Sequence, residues 1–351
     1  MATSTTITLR HRYDVLKQEH PKLRIRDAAK KLFVSELELL ELQLGDNVLR
    51  LKGDWKKFLA EIKDLGYVMA LTRNEYAVHE RKGVYDNISF NPDGKMGVAV
   101  NPDIDLRFLM WTWKYAYAVR MEKSKGPLFS FQFFDQYGEA VHKIFLTQQS
   151  DPTAYQKLVE KYKAKNQITT HKIQEKPLIK KKDLVEEKID ISGFQQDWLT
   201  LKDTHDFFPL LKKYQLDRAQ ALRLAPKGYA FQVDNDSIVK MLRFAAERYV
   251  PIMVFVNSNG CIQIHTGEIK NVVSMHHWIN VMDPEFNLHL NLDGIAQTWV
   301  VKKPTADGVV TAIEVFDAHD NLIVYCFGKR KPGLPELEAW REIVRDLNQN
   351  E

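Results

Sequence analysis

The feature that most constrains the fold of this chain is a sequence pattern that recurs at one fixed distance. The tripeptide Ile-Asp-Leu ending at Leu106 recurs as Phe-Asn-Leu ending at Leu288, and the Phe-Asp pair at Phe134 recurs at Phe316. The differences 288 − 106 and 316 − 134 both equal 182, which we call the repeat offset. A constant offset without an insertion predicts a tandem duplication, in which two similar structural units follow each other.

A second, weaker alignment indicates where the two units differ. The five residues from Asp54 to Phe58, which include Trp55, align with the five residues from Thr204, which include His205. The difference 204 − 54 is smaller than the repeat offset. This alignment therefore requires extra residues in the second unit, between the aligned segment and the repeated motif that ends at Leu288. It predicts that the unit with His205 is the active one and that the unit with Trp55 supports it.

The length of the chain predicts the same division. A chain of 351 residues is long for a single hydrophobic core. We predict an N-terminal unit at residues 1–165, a charged linker at 166–190 and a C-terminal unit at 191–351. The linker contains the run Lys180-Lys181-Lys182 and is poor in aromatic residues, which is typical of an exposed tether.

Charge and cysteine content restrict the class of protein. The net charge of +4 is too small to indicate a nucleic acid partner, but it suits a local site for an anionic ligand. Cys261 and Cys326 lie in apolar runs, which favours buried free thiols and a reducing compartment. No stretch approaches about 18 consecutive apolar residues, so we expect no membrane insertion. These features predict a cytoplasmic protein.

Hydrophobic periodicity predicts an α+β fold. Residues 9–45 have the pattern of a helical cap, and short strand-like segments separated by turns occupy residues 67–146 and 252–327. The sequence Asn-Pro-Asp-Gly at Asn91 is one such turn. Strands that follow one another through turns favour antiparallel sheets over βαβ units.

The helical segment at residues 9–45 also has the outline of a helix-turn-helix. Ser35, followed by Glu38 three residues later, predicts a helix N-terminus with a capping box. The helix that begins there carries Glu36, Glu38 and Glu41, which would repel phosphate. We therefore favour a cap packed on the first unit and expect no nucleic acid partner.

One histidine is the main candidate for chemistry. His205 lies in the first turn of a predicted helix, beside Phe207 and Phe208. A neutral imidazole in an aromatic setting is the usual proximal ligand of haem iron, and a core or capping histidine is an equally good interpretation. Lys303 and Arg330 follow in the same unit, and such cations either pair with ligand carboxylates or lie at solvated strand ends. The chain has no Walker A loop or Rossmann fingerprint, which argues against nucleotide hydrolysis.

Several longer segments carry a resemblance to a known family. They resemble the signatures of the haemin-degrading (HemS/ChuS-type) proteins, which are cytoplasmic haem-utilisation proteins of Gram-negative bacteria. The resemblance extends over essentially the whole chain, including the order of the motifs. The segments are Arg-Asp-Ala-Ala from Arg26, Asp-Thr-His-Asp-Phe-Phe from Asp203, Phe-Asn-Leu-His-Leu from Phe286, Trp-Val-Val-Lys-Lys-Pro-Thr-Ala-Asp-Gly from Trp299 and Phe-Gly-Lys-Arg-Lys-Pro-Gly from Phe327.

The resemblance implies a fold and a set of site residues. It implies two similar halves, each with a large antiparallel sheet and flanking helices, with the sheets stacked centrally. It places haem in a cleft of the C-terminal half, with His205 as the axial iron ligand and Arg107 of the N-terminal half on the opposite face. This chain has Leu109 where the family often has an aromatic residue. The other implied contacts are Arg218, Lys303 and Arg330 for the propionates, Phe255 as a pocket aromatic, and Tyr325 where other members have glutamine.

The resemblance also implies a function. The leading hypothesis is a haem-degrading enzyme that opens the porphyrin oxidatively and releases iron, with haem b as substrate and cofactor. His205 and Arg107 would be its catalytic residues. The alternative is a carrier that hands haem to a separate oxygenase, because every site residue would serve binding equally well.

The implied partners follow from these two hypotheses. An enzyme of this kind needs an external reductant, for which an NADPH-linked donor is a candidate. An inner-membrane haem transporter, a reductase and a downstream oxygenase are the candidate protein partners.

Overall fold

The chain folds into two compact units. A computed structural model describes residues 8–45, 47–168, 173–177, 183–331 and 333–347. The first unit comprises Met1–Thr72, Lys82–Pro177 and Ser258–Cys261, and the second comprises Arg73–Arg81, Leu178–Asn257 and Ile262–Glu351. The lysine run of the predicted linker lies outside the described residues.

Ten α-helices flank the sheets in the described part of the chain. In chain order they are α1 (Leu9–Glu19), α2 (Ile25–Leu32), α3 (Glu36–Glu41), α4 (Trp55–Glu61), α5 (Pro152–Tyr162), α6 (Ile191–Leu199), α7 (Phe207–Tyr214), α8 (Arg218–Arg223), α9 (Ser237–Glu247) and α10 (Glu338–Leu347).

Eighteen strands of the described residues form two nine-stranded antiparallel sheets. The strands that begin before residue 200 are β1 (Val48–Leu51), β2 (Gly66–Arg73), β3 (Ala77–Val84), β4 (Ile88–Phe90), β5 (Met96–Val100), β6 (Asp105–Leu109), β7 (Tyr115–Met121), β8 (Leu128–Phe134) and β9 (Ala140–Ser150). The later strands are β10 (Ala230–Val233), β11 (Ile252–Asn257), β12 (Cys261–Gly267), β13 (Val272–Met275), β14 (Trp278–Met282), β15 (Phe286–Asn291), β16 (Gln297–Thr305), β17 (Gly308–Phe316) and β18 (Leu322–Gly328).

The two units have the same strand order. The first unit contains the runs β1-β7-β8-β9-β2 and β6-β5-β4. The second unit contains β10-β16-β17-β18-β11 and β15-β14-β13, together with most of β12 and β3. Adding nine to each strand number of the first unit gives the corresponding strand of the second, so one topology occurs twice.

The backbone repeats at the same distance as the sequence. Phe33 (φ 55°) and Gln215 (φ 56°) both adopt the left-handed conformation, and the difference 215 − 33 equals the repeat offset. Gly126 and Gly308 have the same φ of 108°, and the difference 308 − 126 is again the repeat offset. Left-handed residues are rare, so their recurrence at a fixed distance marks equivalent positions. The predicted α+β fold of two similar halves with antiparallel sheets and flanking helices is therefore confirmed.

The alignment of Trp55 with His205 is wrong. Trp55 begins α4, which lies between β1 and β2, whereas the helix that follows His205 precedes β10. At the repeat offset, Trp55 corresponds to Ser237, the first residue of α9, and His205 corresponds to Leu23. The two five-residue segments look alike because each lies at the start of a helix and contains aromatic residues.

The helix α3 begins after Ser35, where the sequence predicts it. Ser35 Oγ accepts a hydrogen bond from the backbone N–H of Glu38 at 3.2 Å, and Glu38 Oε2 accepts one from the backbone N–H of Ser35 at 2.8 Å. This reciprocal pair is the predicted capping box. The apolar pattern predicts a strand at Leu106–Trp113, but β6 ends at Leu109 and a 3₁₀ turn, Met110–Thr112, follows it.

A separate hydrophobic cluster holds α6, α7 and α8 against β16–β18 in the second unit. Trp198, Phe207 and Ala219 are each at most 2% exposed within this cluster, together with Val301 and Ala312 on the strands. Burial of this much apolar surface fixes the helices on the sheet. It thereby fixes the segment before α7, which contains His205.

Candidate functional site

His205 lies on a short 3₁₀ turn, Thr204–Asp206, that leads into α7. Asp203 caps this turn, and its Oδ1 accepts a hydrogen bond from the backbone N–H of His205 at 2.8 Å. The same carboxylate oxygen lies 2.5 Å from His205 Nδ1. The imidazole itself is 91% exposed, so the carboxylate orients a side chain that otherwise points into solvent.

This arrangement leaves one nitrogen of the imidazole available. Asp203 engages Nδ1, and no described residue bonds to Nε2 of His205. The backbone N–H of His205, together with its side chain, lowers the pKa of Asp203 against the opposing effect of burial. A carboxylate on Nδ1 fixes the tautomer and the direction of a metal-ligating histidine. The pair therefore combines an oriented imidazole with a second ring nitrogen, Nε2, that faces solvent.

A buried charge cluster lies in the same unit. The carboxylate of Glu314, on β17, accepts hydrogen bonds from Arg218 Nε at 2.6 Å and from Arg218 Nη2 at 2.7 Å. Lys303 Nζ, on β16, donates to the same carboxylate at 2.8 Å. We call Arg218, Glu314 and Lys303 the charge triad. Arg218 and Lys303, two of the cations predicted from the sequence, therefore share one carboxylate, that of Glu314. The sequence did not predict a role for Glu314.

Burial and the mutual charges shift the titration of this triad. Burial by itself would raise the pKa of Glu314, but the adjacent Arg218 and Lys303 outweigh it and lower the pKa to about 2. Burial, with the nearby Arg218, lowers the pKa of Lys303 to about 8 although Glu314 opposes this effect. All three groups are therefore predominantly ionised at neutral pH.

A cluster of four aromatic rings lies next to the charge triad. The guanidinium carbon of Arg218 lies 5.3 Å from the centroid of the Phe207 ring and 5.4 Å from that of Tyr325. Phe255 and Tyr325 stack with their centroids 4.5 Å apart and their planes at 17°. Phe327 packs edge-on against both rings. The pocket aromatics predicted from the sequence are therefore neighbours, and Phe207 and Phe327 join them.

Arg330 lies beside the histidine turn. Its Nη1 is 3.3 Å from Thr204 Oγ1, and its Nη2 is 4.0 Å from Asp307 Oδ2. Its positive charge also contributes to the lowered pKa of Asp203. Arg330 thus places a cation beside Thr204, the residue that precedes His205.

Arg107 belongs to the first unit. It lies on β6, where it forms an ion pair with Asp105 and donates from Nη1 to the carbonyl oxygen of Leu106 at 3.1 Å. Its side chain is 32% exposed. Arg107 is thus a partly exposed cation that a neighbouring carboxylate holds in place.

Sequence reasoning missed two groups that organise the site. Asp203 belongs to a motif to which the sequence assigns no role for it, and Glu314 belongs to no motif. The sequence contains a signal for Glu314, because it is the only charged residue in the run from Val309 to Phe316. A carboxylate in a buried strand requires a cationic partner.

Two further expectations concern the environment of the protein. Cys261 and Cys326 are both free and buried, and burial raises the pKa of Cys261 to about 12. Among the described residues, no helix combines the length and the apolar character needed to cross a membrane.

Comparison with known proteins shows similarity over nearly the whole chain. The chain is 38% identical over 350 residues to the hemin transport protein HmuS of Yersinia pestis, and the alignment covers 98% of both sequences. It is 46% identical to PhuS, a heme-binding protein from Pseudomonas aeruginosa, with a TM-score of 0.91 over 95% of this chain and 96% of PhuS. It is 32% identical to ChuS, an E. coli heme oxygenase, with a TM-score of 0.85 over 96% of this chain and 98% of ChuS.

A family model matches the chain twice. The model for the haemin-degrading HemS.ChuX domain matches residues 33–162 and again residues 215–347. The two matches begin at Phe33 and Gln215, which are separated by the repeat offset. These are the same two residues that share the left-handed backbone conformation. The chain therefore belongs to the haemin-degrading HemS.ChuX family.

Proposed function

We propose that this protein binds haem b through His205 of the second unit. The observation that carries this proposal is the exposed imidazole whose Nδ1 is held by Asp203 and whose Nε2 is available. Neutral imidazole nitrogen is a standard axial ligand of haem iron, and a carboxylate on the other nitrogen increases its basicity. The similarity to PhuS, which is a heme-binding protein, supports haem as the molecule that this protein binds.

The remaining residues of the site fit the other parts of this ligand. The stacked pair of Phe255 and Tyr325 offers ring surface for an apolar macrocycle. The charge triad and Arg330 supply the positive charge that two propionates require. The same residues would be poorly matched to a neutral or cationic ligand.

We further propose that the protein degrades its bound haem oxidatively. Haem is then both cofactor and substrate, and it supplies the iron that reacts with oxygen. Arg107 would contribute a cation that stabilises negative charge as it develops in this reaction. Electrons come from an external reductant, for which an NADPH-linked donor is the first candidate. The similarity to ChuS supports this activity.

A carrier function is the second candidate. It is supported by the name of the Yersinia pestis relative, a hemin transport protein. In this case the exposed His205 delivers haem to a separate oxygenase, and an inner-membrane haem transporter is the natural donor. Both functions place the protein in the cytoplasm, in agreement with its two free, buried cysteines.

One experiment separates the two functions. The haem complex is incubated with a reductant in air or under argon, with catalase present to remove free peroxide. An enzyme loses its Soret band and releases iron only in air. A carrier keeps its haem intact under both conditions and transfers it to an added oxygenase. Failure to bind haem would contradict both functions.

A further inference from the structure

The helices α1, α2 and α3 of the first unit recur in the second unit as α6, α7 and α8. Each helix begins at the repeat offset from its counterpart, as Leu9 of α1 does from Ile191 of α6 and Ile25 of α2 from Phe207 of α7. One structural element therefore occurs twice, and in the second unit it contains His205. Differences between the two copies indicate what the first copy is used for.

The two copies differ strongly in charge. Residues 8–33, which we call the basic segment, contain eight Lys or Arg and three Asp or Glu, so their net charge is 8 − 3 = +5 with histidine neutral. The corresponding residues 190–215 contain three Lys and four Asp, so their net charge is 3 − 4 = −1. Since the whole chain carries +4, everything outside the basic segment sums to 4 − 5 = −1. The net positive charge of this protein is therefore concentrated in the basic segment.

Most of these cations lie at the surface. Seven of the eight basic side chains are exposed, namely Arg10, Arg12, Lys17, Lys22, Arg24, Lys30 and Lys31. The eighth, Arg26, pairs with Glu139. Arg24 and Lys31 form no ion pair with any residue that the structure describes. Only two of the three acidic side chains of the basic segment are exposed. Such a surface attracts an anionic partner.

The basic segment ends at an exposed aromatic ring. Phe33 is 93% exposed and follows α2 in the left-handed conformation, where glycine is the favoured residue and a bulky side chain costs stability. Gln215, at the corresponding position, is polar. Cations flank the ring, because Lys31 is exposed nearby and Arg12 Nη2 donates to the carbonyl oxygen of Leu32 at 2.6 Å. A large apolar side chain kept in solvent at a strained position indicates contact with a partner.

We propose that the basic segment docks on the surface of an anionic lipid bilayer. Phe33 enters the boundary between headgroups and acyl chains, and the surrounding cations lie against the lipid phosphates. Docking of this kind needs no spanning helix, and the described residues contain none. The proposal does not depend on the haem site, because the basic segment belongs to the first unit and His205 to the second.

The helix α3 argues against a nucleic acid as the partner. In a helix-turn-helix the second helix enters the major groove, and α3 has this place in the sequence. It has six residues, of which Leu37, Leu39 and Leu40 are buried. Glu36 at its start is also buried, in an ion pair with Lys143. An exposed ring among cations instead matches a surface that is both charged and apolar.

The test measures binding of the full-length protein to vesicles by co-sedimentation. One set of vesicles contains equal parts of phosphatidylglycerol and phosphatidylcholine, and the other contains phosphatidylcholine alone. The variants are Phe33→Gln, which copies Gln215 of the second unit, and Lys30→Gln/Lys31→Gln. The matched control is Lys212→Gln/Lys213→Gln, since these lysines occupy the corresponding positions of the second unit and the total charge changes equally. A short DNA duplex is titrated in the same buffer.

We expect the parent to bind the phosphatidylglycerol vesicles only, and to bind them more weakly as the salt concentration rises. Lys30→Gln/Lys31→Gln should bind roughly 10–30-fold more weakly, because each lysine near an anionic bilayer contributes about fivefold. Phe33→Gln should bind roughly 5–10-fold more weakly, because it loses the apolar contact while the charge stays the same. The control variant should bind like the parent.

Four results would overturn the inference. The parent might fail to bind phosphatidylglycerol vesicles at low salt. Equal weakening of the control and of Lys30→Gln/Lys31→Gln would mean that only the total charge matters. Unchanged binding of Phe33→Gln would mean that the ring does not enter the bilayer. Tighter binding of the duplex than of the vesicles would assign the basic segment to nucleic acid. Circular dichroism checks that each variant is folded, and the charge and ring variants test the surface separately.

Discussion

The Oδ1 atom of Asp203 accepts hydrogen bonds from both the backbone N–H and the imidazole of His205, at 2.8 and 2.5 Å. One carboxylate oxygen therefore fixes the turn and the ring that projects from it. His205 keeps a defined direction although 91% of its side chain is exposed. A surface histidine without such a partner rotates freely. Because Asp203 limits the rotation of the imidazole, His205 is suitable as a metal ligand.

We predict that His205→Ala loses axial imidazole coordination. The Soret and visible bands of the ferric complex and the spectrum of its ferrous carbon monoxide complex should change. Haem affinity should fall without vanishing, because ring packing and the cations remain. The control is His277→Ala, since His277 is also exposed and also pairs with an aspartate, Asp293, at 2.9 Å. Spectra of His205→Ala that match those of the parent would exclude His205 as the ligand.

We predict that Asp203→Asn weakens ferric haem binding roughly 10–100-fold, as is typical for loss of a group that orients a metal ligand. Asparagine can still accept the hydrogen bond from the backbone N–H of His205, so the turn should persist. The imidazole, however, loses its negatively charged hydrogen-bond acceptor. Titration of haem and circular dichroism measure the two effects separately. Unchanged affinity in a folded variant would mean that Asp203 only caps the turn.

We predict that Arg107→Ala binds haem normally but degrades it about 10²–10³-fold more slowly, because a single preorganised donor contributes about that much to a rate. The rate is followed by loss of the Soret band with a reductant and catalase. Arg120→Ala is the control, since Arg120 is a more exposed arginine of the same unit, paired with Glu122. Equal rates for the parent and Arg107→Ala would remove Arg107 from the mechanism.

We predict that the protein loses stability as the pH falls below about 6.5, the pKa of an unperturbed histidine. Burial lowers the pKa of His142 and of His265 to about 3. The unfolded chain therefore takes up protons at these positions before the folded protein does. The stability that each neutral histidine contributes is complete above about pH 6.5 and is lost as the pH falls toward about 3.

Urea unfolding at several pH values measures this effect. Each histidine should account for a loss of about 2 kcal/mol between about pH 7 and pH 5. His142 accepts or donates hydrogen bonds with Thr72 and Tyr85 in the first unit, at 2.8 and 2.6 Å. His142→Gln should therefore be less stable at neutral pH but should show a weaker dependence on pH than the parent. If His142→Gln and the parent show the same dependence of stability on pH, His142 does not take up a proton when the protein unfolds.

We predict that a fragment of residues 183–351 does not form a cooperative fold. It lacks Ala77–Arg81, the part of β3 that pairs with β15 in the second unit, including His79 opposite Leu288. Without this strand, β15 has an unpaired edge and the core loses Ala77. The control is the full chain cut at a protease site inserted after Pro177, which retains both parts. Cooperative unfolding of the isolated fragment would contradict the prediction.

The sequence by itself determined the duplication, the antiparallel character of the sheets and the position of individual helix starts. The offset that relates Leu106 to Leu288 is visible because equivalent buried positions keep similar side chains. The capping box of Ser35 and Glu38 is visible because it depends on residues three apart. Each of these features is local or periodic, so the order of the residues is sufficient to predict it.

Only the tertiary structure decided how the cations of the site are used and which segments belong to each unit. Glu314 meets Arg218 across 96 residues of chain, and the segment Arg73–Arg81 joins the second unit although it precedes most of the first in sequence. The alignment of Trp55 with His205 failed for the same reason, because similar helix starts can occupy different places in one topology. Such contacts result from strand pairing and burial between distant segments, and a local pattern carries no information about which distant partner a buried charge will meet.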